Sequence, residues 1–170
     1  MADYAMSFED SLRESEELLY ELEEDGQKAE HIQKLETFLS ATPSCRAFFV
    51  NLLTGESVLA DDPPEFLLNA LRKSEEVPEL LAKNLVMSTA TMLSHKRAGN
   101  TAKAEGSDKV ACRTARLIRL MKSEQNRTKL IEMRSSIKMK AGVYAEFLRR
   151  WEYDQEQLET AAKAIEDVLV

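Results

Sequence analysis

The scarcity of helix-breaking residues is the feature that most constrains the fold of this sequence. From Ser107 to Val170 there is no proline and one glycine, Gly142, and the 170 residues contain only four prolines and five glycines. Turns depend on these residues, so a chain with few of them has few turns and long helices. No alternating run of β-branched residues indicates a strand. The sequence therefore predicts an all-α fold, a single-domain bundle of about six to eight helices over residues 1–170.

Capping residues and apolar spacing predict where the helices of the first half begin and end. An acidic helix over residues 7–24, capped by Ser7, is expected at the periphery. Thr42 is expected to cap a third helix that is apolar on nearly all sides and therefore central. The segment Asp62-Pro63-Pro64-Glu65 predicts a capping box with proline at the first helical position. The remaining predicted spans are 27–40, 42–54 and 63–72.

The second half is predicted to contain longer helices. One runs from the turn around Pro78 to about Arg97, and another spans residues 107–121 and can continue to residue 140. A last helix or helix pair covers residues 143–168. A set of its residues, mostly apolar, alternates steps of four and three, a seam of 3.5 residues that suits either an antiparallel bundle helix or a homodimer. The seam residues run from Tyr144 to Leu169: Tyr144, Leu148, Trp151, Gln155, Leu158, Ala162, Ile165 and Leu169.

Charge is distributed unevenly along the chain, which has a net charge of −7. Residues 1–36 contain 12 acidic and three basic residues, whereas residues 72–150 contain 18 basic and eight acidic residues. Blocks of this kind indicate either charge matching inside the protein or a basic surface for an acidic partner.

A row of cations on the helix around Lys109 is the strongest candidate site. At 100° per residue, Lys109, Arg113 and Arg116 fall within about 60° of one another, and Arg119 lies about 60° further round. Cys112 projects from the same side, where the cations are expected to lower the pKa of its thiol. The apolar residues of this helix are expected to face the core: Val110, Ala111, Leu117, Ile118 and Met121.

The cationic row has three interpretations. It can meet the acidic first helix or solvent. It can dock an acidic protein, because the arginine fork pairs with carboxylates in two places. It can also hold an anionic small ligand near Cys112, such as a linear tetrapyrrole or a phosphate. Nucleic acid is disfavoured, because the row is short, lacks interleaved aromatic residues and belongs to an acidic protein.

Catalytic and metal-binding motifs are not found in the sequence. Neither His31 nor His95 follows a glutamate by three residues, as a di-iron bundle requires, and no H-E-x-x-H occurs. Phosphate-binding glycine loops and the G-x-S-x-G elbow do not occur either. We expect no metal and no cofactor, although an enzyme without a recognisable motif stays open. Cys45 is expected to be a packed thiol, with a pKa lowered by Arg46 and by the start of its helix.

Location follows from the same observations. Two cysteines make no disulfide framework, the N-terminal residues do not resemble a secretory signal, and no apolar stretch reaches the roughly 20 residues that span a bilayer. We therefore expect a cytoplasmic protein with reduced thiols and no membrane contact.

Two family resemblances accompany this interpretation. The segments SCRAFFVNLLTG and LLAKNLVMSTATMLSHKRAGNTAKAEGSDKVACRTARLIRLM are similar to an uncharacterised helical family of cyanobacteria. The resemblance implies a cytoplasmic protein of a photosynthetic cell and no particular activity. The helix around Cys112 also resembles that of phycobiliproteins, which attach a bilin to a cysteine; the matching residues are Gly106, Asp108, Lys109, Cys112 and Arg113. The function expected first is nevertheless a non-catalytic interaction or regulatory protein that binds an acidic protein partner through Lys109, Arg113, Arg116 and Arg119.

Overall fold

The computed structural model describes residues 7–170, which form nine α-helices, one short 3₁₀ turn and no strand. The prediction of an all-α fold is confirmed. Eight of the helices have nine or more residues, and the ninth has six. The chain divides into two compact units, one up to Val77 and the other from Pro78 onward. That residues 1–170 act as one domain stays a prediction.

The first unit contains α1 (Phe8–Asp25), α2 (Ala29–Phe38), α3 (Thr42–Thr54), a 3₁₀ turn (Val58–Ala60) and α4 (Glu65–Lys73). α1 packs against α2 and α3, and α2 also packs against α4. The predicted cap of α1 is confirmed, because the Ser7 hydroxyl accepts a hydrogen bond from the Asp10 N–H at 3.1 Å. The Asn51 amide donates to the Leu12 carbonyl at 2.7 Å and to the Ser15 hydroxyl at 2.6 Å, which joins α3 to α1.

Two predicted caps in this unit are wrong. Ala41 takes the cap position of α3, and the Thr42 hydroxyl instead donates to Glu76 at 2.6 Å. α4 begins at Glu65, with Pro64 at its cap position and no side-chain cap. A residue that precedes proline is disfavoured in the helical region, so Pro64 keeps Pro63 out of the helix, and the predicted capping box does not form.

The second unit contains the longest helices. α5 (Val77–Arg97) begins at the boundary between the units, and α6 (Thr101–Met121), α7 (Glu124–Met139), α8 (Ala145–Arg150) and α9 (Gln155–Leu169) follow. α9 packs against α6 and α7. The amide of Gln157 donates to the Ala90 carbonyl at 3.0 Å and to the Ser94 hydroxyl at 2.8 Å, which joins α9 to α5.

α6 is longer at its start than predicted and does not continue into α7. It begins at Thr101, six residues before the predicted start, and the Asn100 side chain caps it by accepting from the Lys103 N–H at 3.2 Å. Lys122 ends it in the left-handed conformation, with φ 48°, and Ser123 then caps α7. The two helices are therefore separated by a break in the helical backbone at Lys122 and Ser123.

The predicted seam from Tyr144 to Leu169 is divided between two helices. Glu152 adopts φ 50°, and Asp154 opens α9 with a capping box to Gln157. Tyr144 and Ile165 are already buried within the chain.

A homodimer stays a prediction, but it would not use a continuous helix. None of the helices in residues 7–170 combines the length and the hydrophobicity that a membrane-spanning segment needs.

Candidate functional site

The four predicted site cations of α6 differ in exposure. Arg116 and Arg119 are exposed, Lys109 is partly exposed, and Arg113 is only 5% exposed. Lys109 and Arg113 are also engaged by other groups of the protein, so neither is free. The expectation of a single exposed row is therefore wrong for Arg113.

The position of Arg113 on the helix explains its burial. Arg113 and Leu117 are four positions apart in the sequence, which places the two side chains only about 40° apart around the helix axis. Leu117 is completely buried. Arg113 therefore lies at the margin of the buried side of α6, and its three flexible methylenes are long enough to cover apolar surface.

The two exposed residues among these four predicted cations lie in the C-terminal half of α6. Arg116 and Arg119 are separated by three residues and so lie on the same side of the helix. The Arg119 guanidinium donates from Nη2 to the Asp167 carbonyl at 2.9 Å. This bond satisfies one of the free carbonyls at the end of α9 and orients Arg119 against that helix.

A cavity of about 210 Å³ lies where the end of α6, the start of α7 and the end of α9 meet. Its cationic lining residues are Arg119, Lys122 and Arg127, and its one acidic lining residue is Glu124. Arg127 donates from Nη1 to the Leu169 carbonyl at 3.4 Å. The other residues that line the cavity are Ile118, Ser123, Leu130, Val168 and Leu169. We refer to Arg116, Arg119, Lys122 and Arg127 together as the basic corner.

Lys122 and Arg127 are the site residues that the sequence analysis missed. The predicted helix could continue through Lys122 and Ser123, and in a continuous helix the cations are spread along its length. A signal was available, because Ser123 followed by Glu124 is typical of a helix start. A boundary at that point brings Arg127 around to the side of Arg119.

The two thiols differ from what their neighbours in the sequence suggest. Burial raises the pKa of Cys45 to about 12, and Glu76 adds to the shift, so the predicted lowering is wrong. Cys45 is completely buried, which confirms that it is a packed thiol. Partial burial and Asp108 also raise the pKa of the exposed Cys112, against a smaller lowering by Arg119. Neither thiol is therefore activated as a nucleophile.

The histidines have local roles. The His31 Nδ1 is 2.8 Å from the Asp25 carbonyl, next to the turn between α1 and α2, and His95 lies in the last turn of α5. Within the described residues, no group of three or more histidine, cysteine, aspartate or glutamate side chains could hold a metal ion.

The chain matches a known protein family. Residues 7–168 match the family described as "uncharacterised conserved protein UCP020893". No curated protein and no solved structure matches the chain. The match agrees with the resemblance to an uncharacterised family, and it shows neither an organism nor a link to phycobiliproteins.

Proposed function

The chain belongs to this uncharacterised conserved family, and we propose that it is a non-catalytic interaction protein that docks an acidic protein partner at its basic corner. The observation that carries the proposal is that Arg119, Lys122 and Arg127, all exposed, line one cavity at the meeting point of three helices, with the exposed Arg116 one turn before Arg119 on α6. Arg113 is not part of this surface because it is buried, and Lys109 is left out because it is only partly exposed and lies two turns before Arg116 on α6.

The distribution of charge supports this surface. Residues 78–170 contain 17 basic and 12 acidic residues, a net charge of +5, whereas residues 1–77 contain six basic and 18 acidic residues, a net charge of −12. The unit that carries the basic corner is therefore positive in an otherwise acidic protein. A positive unit attracts acidic partners, and the attraction raises their association rate at low salt.

The geometry of the arginines supports a protein partner rather than diffuse attraction. Arg119 and Arg127 are each held to a backbone carbonyl of α9 through one nitrogen. Each guanidinium has further N–H donors in a fixed fork, which suits carboxylates and similar planar or tetrahedral anions. Holding the side chains in place reduces the entropy that is lost on binding.

The test compares two double variants with the same change in charge. The docking variant combines Arg116→Glu with Lys122→Glu, and the control combines Lys103→Glu with Lys140→Glu, two exposed lysines elsewhere in the same unit. Tagged forms of both and of the unchanged protein are used to capture proteins from the native host at 50 mM salt, with quantitative mass spectrometry. We expect the unchanged protein and the control to retain the same acidic partner, and the docking variant to lose at least nine-tenths of it.

Equal capture by the docking variant and the control would overturn the proposal. Purified partner then gives a second measurement, because an electrostatic interface should weaken steadily as salt is raised from 50 to 300 mM. Circular dichroism should show the same helical content for all three proteins, since surface substitutions of this kind change stability by about 0.5 kcal/mol or less.

The alternative function, a protein that binds an anionic ligand or bilin-like pigment at Cys112, stays a prediction that no observation favours. The raised pKa of the Cys112 thiol reduces the thiolate that a covalent bilin attachment would use. A cytoplasmic location likewise stays part of the proposal, supported by the two free cysteines.

A further inference from the structure

We infer that the cavity at the basic corner is a binding site for a phosphomonoester group, so that the partner is recognised in its phosphorylated form. This inference rests on the proposed function, since it names the group by which the partner is held. It concerns the cavity lined by Arg119, Lys122 and Arg127 rather than the outer surface of α6.

The charge of the cavity matches a dianion. Its lining contains three cations and the single carboxylate of Glu124, a net charge of about +2 at neutral pH. A phosphomonoester carries about −1.5 to −2 at pH 7 and offers three strong acceptor oxygens, whereas a side-chain carboxylate carries only one charge. A dianion therefore neutralises the positive charge of the cavity lining more completely than a carboxylate does.

Two of the three cations are already oriented. Arg119 donates to the Asp167 carbonyl at 2.9 Å, and Arg127 donates to the Leu169 carbonyl at 3.4 Å. These bonds also offset the negative end of the α9 dipole, which would otherwise repel an anion. The remaining N–H groups of both guanidinium groups are left for phosphate oxygens, which arginine binds through two parallel hydrogen bonds.

The dimensions of the cavity suit a single phosphate group better than a complete organic ligand. Its volume of about 210 Å³ lies below the roughly 300–1,000 Å³ of typical small-molecule sites. The cavity is open to solvent, and the exposed Arg116 lies one turn before Arg119 on α6. A phosphate on a protein segment can therefore enter while the rest of the segment lies along the helix.

The charge of Lys122 can be removed with a matched control. Lys122 ends α6 with φ 48° and Lys140 ends α7 with φ 53°, and both are exposed. Glycine adopts this left-handed conformation without strain, so Lys122→Gly and Lys140→Gly make the same change at equivalent positions and should preserve the fold. Only Lys122 lines the cavity.

The experiment titrates the full chain with phenyl phosphate, phenyl sulfate and benzoate, followed by ¹H–¹⁵N correlation spectra at pH 7.5. Phenyl phosphate should give saturable shifts at residues 118–130 and 168–169, with at least tenfold tighter binding than the two monoanions of similar size. Lys122→Gly should weaken phenyl phosphate binding at least fivefold, whereas Lys140→Gly should leave it unchanged.

The inference would be overturned by any of three results: equal affinity for the three probes, no saturable shift with any of them, or equal weakening of phenyl phosphate binding in the two glycine variants. Its failure is distinguishable from failure of the proposed function. If phenyl phosphate is not preferred but the docking variant still loses its partner, the corner binds carboxylates and only the phosphate is excluded. If phenyl phosphate binds as expected but the docking variant keeps its partner, the site exists and the docking proposal falls.

Discussion

Replacement of two glycines by alanine should have opposite effects on stability, although the chemical change is identical. Gly26 lies in the turn after α1 and is buried, with an ordinary φ of −67°. Gly106 lies within α6 and is exposed. The comparison tests whether the packing of the turn around Gly26 is as close as the structure indicates.

The surroundings of each glycine set the expected magnitude. A Cβ atom at Gly26 would lie 2.5 Å from the Leu22 carbonyl oxygen and would overlap the ring of Phe66. The ring could turn, but the carbonyl belongs to the backbone of α1, so the strain cannot be relieved by a side chain alone. Overpacking of this kind typically costs about 1–3 kcal/mol and occasionally more, and we expect the upper half of that range.

Gly106→Ala should be stabilising. A Cβ atom there meets no heavy atom within 4 Å apart from the adjoining backbone of its own helix. Alanine lowers the entropy of the unfolded chain and favours the helix by about 0.5–1 kcal/mol relative to glycine. Because Gly106 is more than two turns from Arg116, the variant should bind the partner as the unchanged protein does.

Urea denaturation followed by far-ultraviolet circular dichroism measures both variants. Trp151, the only tryptophan, provides a separate fluorescence signal from the second unit. A midpoint for Gly26→Ala equal to or above that of the unchanged protein would show that the turn can expand. A lower midpoint for Gly106→Ala would show that something packs against α6 at this position. Either result would refute the reasoning from these contacts.

Two further predictions concern buried groups. The Tyr144 hydroxyl donates to Glu79 at 2.6 Å; Tyr144→Phe should cost about 1–2 kcal/mol, since Glu79 is partly exposed and water can replace the bond. Burial alone would raise the pKa of Glu79, but hydrogen bonds from Lys83 and Tyr144 outweigh it and hold that pKa low. This stabilisation is present above the unfolded-state pKa of Glu79 and is lost as pH falls through the lowered folded-state pKa. Without the Tyr144 hydroxyl the folded-state pKa is less depressed, so acidification should cost Tyr144→Phe less stability than it costs the unchanged protein; an equal loss in both proteins would contradict the assignment. For the cysteines, maleimide at pH 7.5 should label Cys112 and leave Cys45 unmodified until the protein is denatured, which intact-mass measurement would show as one adduct and then two; rapid double labelling of the native protein would contradict the burial of Cys45.

Helix ends were predictable where a single local interaction decides them. Ser7 before an amphipathic run marks the start of α1, and Pro78 marks the first turn of α5, because each acts within one turn of backbone. The double proline at 63–64 does not act as a single proline would, since the second proline restricts the first. The start of α6 also has a local signal, because Asn100 caps it and asparagine is among the preferred caps.

The candidate site was predictable only in part. The sequence placed cations on the helix around Lys109, and Arg116 and Arg119 are indeed exposed there. It could not show that Arg113 is buried, because a residue 40° from Leu117 can face either the core or solvent, and the neighbouring elements decide which. Nor could it bring Arg127 beside Arg119, since that needs the turn at Lys122 and the packing of α9 on both helices.

The sequence by itself determined that the chain is helical, because helix formation depends on backbone freedom and on apolar spacing within a few turns. It also determined that positive charge is concentrated after residue 77. Only the tertiary structure decided which cations remain available, because burial and hydrogen bonding depend on residues far apart in the chain. Arg119 and Arg127 are held by carbonyls of α9 more than 40 positions later, and contacts at such separations have no local signature.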